Sequence, residues 1–166
     1  MSVILSARHE QVERVAVDAH DLPGLYAWRV GNRVGESPVW DANRDANGEA
    51  NTQALLWIDV RAPAVLRLDP RTGQLTSWPL PETVGALGLA HPGSVVLALQ
   101  RSLALLELAT GRLDTLVEVR NEPAGNRLND GKVSPSGRWF VFGSMDDRAA
   151  DKRATGALYC AACIEG

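Results

Sequence analysis

The sequence lacks several features that would assign a protein directly to a compartment or to a class of ligand. It has only two cysteines, Cys160 and Cys163, too few and too close to one end to crosslink a secreted fold. Its 17 Lys and Arg against 20 Asp and Glu leave no basic excess for nucleic acid or an anionic membrane surface. No apolar run approaches the roughly 18 residues that cross a bilayer. These absences predict a cytoplasmic protein without nucleic-acid or membrane partners.

Common catalytic motifs are also missing. There is no Gly-x-Ser-x-Gly nucleophile elbow, no P-loop and no Gly-x-Gly-x-x-Gly turn, so serine hydrolysis and nucleotide binding have no support. His9, His20 and His91 are far apart and match no His-Glu-x-x-His zinc motif. The two cysteines have no second pair with which to bind zinc. Any chemistry must therefore come from other polar residues.

The sequence does contain a repeat of short β-strands. A strand–strand–turn–strand unit occurs twice, and a third unit begins in GRWFVFGSM and reaches its second strand at GALYC. The predicted strands of the two complete units are 55–60, 65–69 and 74–80, then 94–100, 103–108 and 112–119. The Thr72-Gly73 and Thr110-Gly111 pairs predict hairpin turns, because glycine accepts the positive φ needed there. No helical apolar period is sustained, so helix is not predicted.

A repeat of about forty residues with about four antiparallel strands is typical of propeller blades. We therefore expect an all-β, partial β-propeller over residues 35–166, with blades at about 35–82, 83–122 and 123–166. Residues 1–34 form a lead-in with strand candidates at 11–19 and 24–30. The polar segment 41–53 is predicted to be a surface loop.

Three polar clusters beside these strands are candidate sites. Glu36 precedes Ser37-Pro38, where proline favours an extended Ser37 and so a fixed carboxylate, which suits a hard divalent cation. Arg127 and Asn129, in GNRLNDGK, offer donors and an acceptor for a polyhydroxylated substrate. Asp147 follows a predicted strand and suits a cation or a hydroxyl group. Each also has an ordinary interpretation as a surface carboxylate, a turn or a solvated acidic loop.

Taken together, these segments resemble the family of regucalcin (senescence marker protein), gluconolactonase and sugar-lactone lactonases. GESPVWD, LLWIDV, DPRTG, RLNDGKVSPSGRWFVFGSMD and GALY occur in the family's order, and the resemblance covers about residues 34–160. It implies a six-bladed propeller with a divalent metal ion (Ca²⁺, Zn²⁺ or Mn²⁺) on its axis. It also implies hydrolysis of a small-molecule substrate, a sugar lactone.

By the same resemblance, Glu36 matches the family's first metal-binding glutamate, and Arg127 and Asn129 match residues that hold the lactone's hydroxyl groups. Asp147 matches an acidic position that touches substrate, where regucalcin-like members have Glu. The family's other metal ligands, an Asn and an Asp that also serves as catalytic base, belong to later blades. We therefore expect only the N-terminal half of a lactonase, with no catalytic residue and little or no catalysis. The ending AACIEG departs from the family pattern, which suggests a truncation or an altered reading frame.

Two other functions remain open. One is a non-catalytic calcium-binding or regulatory propeller, and the other is an interaction scaffold whose blade surfaces bind a protein. Arg127 and Asn129 offer more hydroxyl-binding capacity than a bare cation site requires, which favours the enzyme.

Overall fold

The computed structural model describes residues 1–16, 24–42 and 53–162, and over these ranges the chain forms strands and turns without a helix. The strands are β1 (Ser2–Ile4), β2 (Arg8–Gln11), β3 (Arg14–Ala16), β4 (Tyr26–Trp28), β5 (Gly35–Asp41), β6 (Ala54–Asp59), β7 (Ala64–Leu68), β8 (Gln74–Pro79), β9 (Val84–Leu89), β10 (Ser94–Leu99), β11 (Ser102–Glu107), β12 (Arg112–Glu118), β13 (Asn126–Val133), β14 (Trp139–Asp146) and β15 (Leu158–Ala162).

These strands form four antiparallel sheets. The first sheet has the order β2-β8-β7-β6-β5, the second β1-β12-β11-β10-β9 and the third β13-β14-β15, while β3 and β4 form a separate two-stranded ribbon. The all-β prediction is therefore confirmed. The first two sheets each consist of four consecutive strands plus one from the N-terminal segment. The division into blades at 35–82, 83–122 and 123–166 stays a prediction.

The turns follow the local sequence. Gly73 and Gly111 have φ of 75° and 69° and lie in the predicted hairpin turns β7–β8 and β11–β12. The carboxylate of Asp69 accepts hydrogen bonds from the backbone N–H groups of Arg71 (2.8 Å) and Thr72 (3.2 Å). Thus an Asp side chain and a glycine suffice to reverse the chain at the first of these turns.

The sheets pack face to face in chain order, and strand alternation explains their cores. On β10, Val95 and Leu97 belong to the apolar cluster shared with the first sheet, whereas Val96 and Ala98 belong to the cluster shared with the third. Because successive side chains of a strand point to opposite faces, a sheet covered on both sides must be apolar at every position. The uninterrupted apolar run of β10 therefore reflects a central sheet.

Each of the three sheets has one edge strand that lies beside the corresponding strands of the other sheets. These edge strands, β5, β9 and β13, are called the inner strands below. β9 contacts both β5 and β13, and β5 also approaches β13. The approach of β9 to β13 is so close that a Cβ on Gly85 would lie 2.1 Å from the carbonyl oxygen of Leu128. This arrangement brings the segments that carry Glu36, Arg127 and Asn129 onto neighbouring strands.

The N-terminal segment runs along the outer edges of two sheets. The N–H of Leu5 donates to Gly111 O (2.8 Å) beside β12, and the N–H of Val12 donates to Gly73 O (2.9 Å) beside β8. The prediction of one strand over 11–19 is wrong, because pairing with β8 ends at the Gly73 turn and the chain then leaves the first sheet. It forms β3 at Arg14–Ala16, and positions 17–19 of the predicted strand lie outside the described residues.

Two other expectations concern segments outside the described part of the chain. Most of the predicted loop 41–53 belongs to them, although Asp41 is the last residue of β5 and Ala54, its partner in register, begins β6. His20 and Cys163 also lie outside the described residues. Within the ranges that are described, no helix is long and apolar enough to span a membrane.

Candidate functional site

Arg127, Asn129 and Asp147, three of the residues singled out in the sequence, lie together. The Arg127 guanidinium is buried, and its Nη1 donates to Asn129 Oδ1 (2.7 Å) and to the carbonyl of Leu128 (3.0 Å). Its Nε lies 3.2 Å from Asp147 Oδ1. Because Arg127 and Asn129 are two residues apart on β13, strand alternation places them on one face.

Asp147 joins the end of β14 to the start of β13. Its backbone N–H donates to Gly125 O (2.9 Å), and its carboxylate faces two guanidinium groups, those of Arg127 and Arg61. Desolvation by burial acts to raise the pKa of Asp147, but the hydrogen bonds from Arg61 and the positive charges of Arg61 and Arg127 lower it below the ordinary value. The carboxylate is therefore ionised at neutral pH, as an acceptor for hydroxyl groups should be.

Arg61 is a member of the cluster that sequence reasoning missed. Its Nη2 lies 2.9 Å from Asp147 Oδ1 and its Nη1 3.3 Å from Oδ2, although the two residues are 86 positions apart. Arg61 follows β6, in the turn before β7. No local signal distinguishes it from the other arginines of the chain, because its partner comes from a different sheet.

Asp59, the last residue of β6, fixes this turn. Its buried carboxylate accepts hydrogen bonds from the backbone N–H groups of Arg33 (2.7 Å), Val34 (3.1 Å), Arg61 (3.0 Å) and Ala62 (3.0 Å). Desolvation raises the pKa of Asp59, but these four donors outweigh it and hold the pKa below its ordinary value. One carboxylate thus ties the turn that carries Arg61 to the segment that leads into β5 and Glu36.

Glu36 lies on β5, partly buried and opposite Ile58 of β6. The register then jumps to Val39 opposite Leu56, so Ser37 and Pro38 form a bulge. The expectation of an extended Ser37 is wrong: its φ is 53°, in the left-handed region. The bulge sets this conformation, because two residues must oppose the single residue Trp57.

Bulges recur on all three inner strands. On β13 the register shifts between Asn129 and Gly131, with Asp130 at φ 44°, and on β9 it skips Gly85. Left-handed backbone is costly for residues other than glycine, and both it and bulges are concentrated next to functional sites. Glu36 and Asn129 each immediately precede such a residue. This shared feature, which no local sequence signal predicted, makes the inner strands the candidate place of a site.

A metal site would require several ligating side chains close together. Within the described ranges, no three His, Cys, Asp or Glu side chains are near enough to one another to hold a metal ion. Calcium takes about six to eight oxygen ligands, and a single carboxylate competes poorly with water. The described residues therefore do not by themselves fit a tightly bound divalent cation, and Glu36 is a single candidate ligand.

A buried polar network supports the third sheet close to Arg127 and Asp147. The Glu122 carboxylate accepts hydrogen bonds from Asn126 Nδ2 (2.6 Å), the Ser144 hydroxyl (2.7 Å) and the Tyr159 hydroxyl. Burial acts to raise the pKa of Glu122, but these donors outweigh it and hold the pKa below its ordinary value. The hydrogen bond that the Tyr159 hydroxyl donates to Glu122 raises the pKa of Tyr159. The network connects β13, β14 and β15, and so fixes the strand that carries Arg127 and the strand that Asp147 follows.

Comparison with known proteins places the chain in a family. Residues 34–163 match the family model described as the SMP-30/Gluconolactonase/LRE-like region. The chain belongs to this family. It is 34% identical over 130 residues to regucalcin of Gallus gallus, covering 76% of this chain and 40% of that protein. It is 35% identical over 129 residues to L-arabinolactonase of Azospirillum brasilense, covering 77% and 40%.

The crystal structure of a calcium-binding protein, regucalcin from Agrobacterium tumefaciens, matches with a TM-score of 0.65 and 29% identity. The match covers 80% of this chain and 41% of that one. The three stacked sheets are thus a partial six-bladed β-propeller, as predicted. The chain spans about two fifths of the length of the curated relatives it matches.

Proposed function

We propose that the chain forms the sugar-binding side of a metal-dependent sugar-lactone hydrolase. The observation that carries this proposal is the cluster of Arg127, Asn129 and Asp147 beside the bulge of β13. Membership of a family that includes an arabinolactonase supports hydrolysis of a lactone. The lactone itself, the dependence on a metal and the role of each residue are parts of the proposal.

The hydrogen bonds of the cluster suggest how hydroxyl groups would be held. Because Arg127 donates to Asn129 Oδ1, the amide has a defined orientation, with its Nδ2 hydrogens available to an oxygen of a ligand. The ionised Asp147 retains lone pairs that accept from a sugar hydroxyl. Arg127 is then a positioning residue that fixes both neighbours, while Asn129 and Asp147 contact the substrate. Asn129 also lines a groove of about 460 Å³ on the third sheet with Lys132 and Phe142.

Glu36 is proposed as one oxygen ligand of a divalent cation. A bound cation would stabilise the negative charge that develops on the lactone carbonyl oxygen. Since no three His, Cys, Asp or Glu side chains of the described residues come close enough together to hold a metal ion, the chain alone should hold Ca²⁺, Mn²⁺ or Zn²⁺ weakly. We therefore expect little or no lactone turnover by residues 1–166 alone.

The test compares the chain with a chimera that adds the later blades of the arabinolactonase relative. Lactone hydrolysis is measured with Ca²⁺, Mn²⁺ or Zn²⁺ present. The chimera should be active, and Glu36→Gln or Asn129→Ala should lower kcat/KM by about 100-fold, whereas the exposed control Glu118→Gln should not. Activity that is indifferent to Glu36→Gln would remove the metal assignment, and activity indifferent to Asn129→Ala would remove the substrate assignment.

A non-catalytic calcium-binding role is the second candidate, favoured by the likeness to the calcium-binding regucalcin of Agrobacterium tumefaciens. It predicts that the chimera binds Ca²⁺ tightly but hydrolyses no aldonolactone. Titration calorimetry with Ca²⁺, run beside the hydrolysis assay, distinguishes the two roles. A cytoplasmic location and the absence of nucleic-acid or membrane partners stay predictions from composition.

A further inference from the structure

Arg61 contacts the proposed sugar site but has no role in the function proposed above. It reaches Asp147 from the turn between β6 and β7, on the first sheet, whereas Asp147 directly follows β14 of the third sheet. Its side chain is 51% exposed, in contrast to the 7% of Arg127. Arg127 is therefore enclosed by protein, while Arg61 lies at the rim with access to solvent.

Among the described residues, the ion pairs at Asp147 bring together more positive than negative groups. Two guanidinium groups, Arg61 and Arg127, face the single carboxylate of Asp147. Arg61 directs Nη1 and Nη2 at Asp147, and a guanidinium has five N–H donors, so Nε–H and the outer hydrogens remain for another acceptor. The second positive charge at Asp147, together with the N–H donors of Arg61 that Asp147 does not occupy, is suited to an anion.

The backbone under Arg61 is held in advance of binding. Asp59 accepts the N–H groups of Arg61 and Ala62 and also those of Arg33 and Val34, which fixes both sides of the turn. Holding a binding group in place before the ligand arrives reduces the entropy lost on binding. A half-exposed ion pair adds little to folding stability, so stability alone gives a weak reason for an arginine here.

We propose, on the basis of the lactone site described above, that Arg61 binds an acidic substituent of the sugar lactone and makes the site prefer acidic lactones to neutral ones. The substituent is a carboxylate, a phosphate or a sulfonate, each of which accepts two parallel hydrogen bonds from a guanidinium. Asn129 and Asp147 hold the hydroxyl groups, and Arg61 contacts the charged end of the same molecule.

The experiment measures binding rather than turnover. The probes are the hydrolysis-resistant lactam analogue of gluconolactone and three derivatives that carry a carboxylate, a phosphate or a sulfonate at C6. Each is titrated into the chain of residues 1–166 by calorimetry. We expect at least one acidic lactam to bind about tenfold or more tightly than the neutral one, with an advantage that decreases as salt is added. The three acidic probes show which anion the site prefers.

Variants assign the effect to Arg61. Arg61→Gln should reduce the ratio of acidic to neutral affinity to about one, because the charged donor is gone, and Arg61→Lys should keep part of it, since the charge stays but the fork is lost. Arg71→Gln is the matched control, as Arg71 is an exposed arginine on the β7–β8 hairpin. It should leave the ratio unchanged.

Several outcomes would overturn the proposal. These are equal affinity for acidic and neutral probes, no binding of any probe, a preference that survives Arg61→Gln, or an equal loss for both probe types, which would make Arg61 only a support for Asp147. The hydrolysis assay on the chimera keeps the two proposals separate. Hydrolysis of a neutral lactone without an acidic preference contradicts this inference alone, whereas Arg61-dependent binding without any hydrolysis contradicts the proposed function alone.

Discussion

The inner strands contribute to two regions that are built in opposite ways. Between the sheets, strand alternation is regular, and apolar side chains such as Leu87 and Leu128 are buried in apolar clusters. At the bulges, alternation fails, Ser37 and Asp130 adopt left-handed backbone, and the residues just before them are Glu36 and Asn129. The same strands thus combine a rigid apolar scaffold with a strained polar end, as expected where strain is retained for function.

The largest expected effect comes from breaking the apolar side of this comparison. Phe140 on β14 is 1% exposed and packs between the second and third sheets, with its ring centroid 5.5 Å from that of Phe142. Phe140→Ala should lower the free energy of unfolding by about 3–5 kcal/mol, because it leaves a cavity. Urea denaturation measures the change.

The matched control for that substitution is Leu116→Ala, because Leu116 is 56% exposed on β12. It should change the free energy of unfolding by less than about 0.5 kcal/mol. Similar losses for Phe140→Ala and Leu116→Ala would contradict the packing of the third sheet against the second.

An intermediate effect is expected at Asp59, which supports the polar end. Asp59→Asn removes the charge from four charge-assisted hydrogen bonds and should cost about 1–3 kcal/mol at pH 7. Since the folded state holds the pKa of Asp59 below its ordinary value of 3.8, its contribution is present above that pH and is lost as pH falls further. The difference between the urea midpoints of the two proteins should therefore stay constant from pH 7 to about pH 5 and begin to narrow as pH falls toward 3.

Glu118→Gln, a change at an exposed carboxylate on β12, serves as the control for this pH series. Its urea midpoints should run parallel to those of the unsubstituted chain. If the curve of Asp59→Asn also ran parallel from pH 7 to pH 3, the role of Asp59 as an ionised acceptor of four backbone donors would be wrong.

The smallest effect sharpens the comparison at the bulge itself. Ser37→Gly should raise the free energy of unfolding by about 0.5–1 kcal/mol, because glycine adopts the φ of 53° without a steric penalty. Ser6→Gly is the control, because the φ of Ser6 is not positive. This substitution should slightly lower the free energy of unfolding. Loss of stability in Ser37→Gly would show that the left-handed backbone is not strained.

Much of the fold followed from local patterns. The apolar runs of β6 and β10 and the Asp69 and Thr-Gly turns predicted antiparallel strands, because side-chain alternation and positive φ are properties of a few consecutive residues. The lead-in was predicted less well. Whether the N-terminal strands pair with β8 or β12 depends on which outer edges are open, and adjacent residues carry no information about that.

The candidate site also has residues that could be predicted from the sequence and a residue that could not. Glu36, Arg127, Asn129 and Asp147 were recognisable because each stands in a short polar segment of the sequence, and the family resemblance then assigned their roles. Arg61 had no such signal, since its partner Asp147 is 86 residues away. The bulge at Ser37 was predicted wrongly, because the effect of Pro38 on its neighbour is local whereas register is set by the pairing with β6.

The sequence by itself determined the strands, the turns and which residues could offer oxygen atoms or guanidinium donors, because these depend on side-chain chemistry and on neighbours along the chain. Only the tertiary structure decided that Arg61, Arg127 and Asp147 share one cluster, and that the inner strands bulge beside Glu36 and Asn129. Contacts between sheets and shifts of register arise from the packing of distant segments, so they exist only once the strands have assembled.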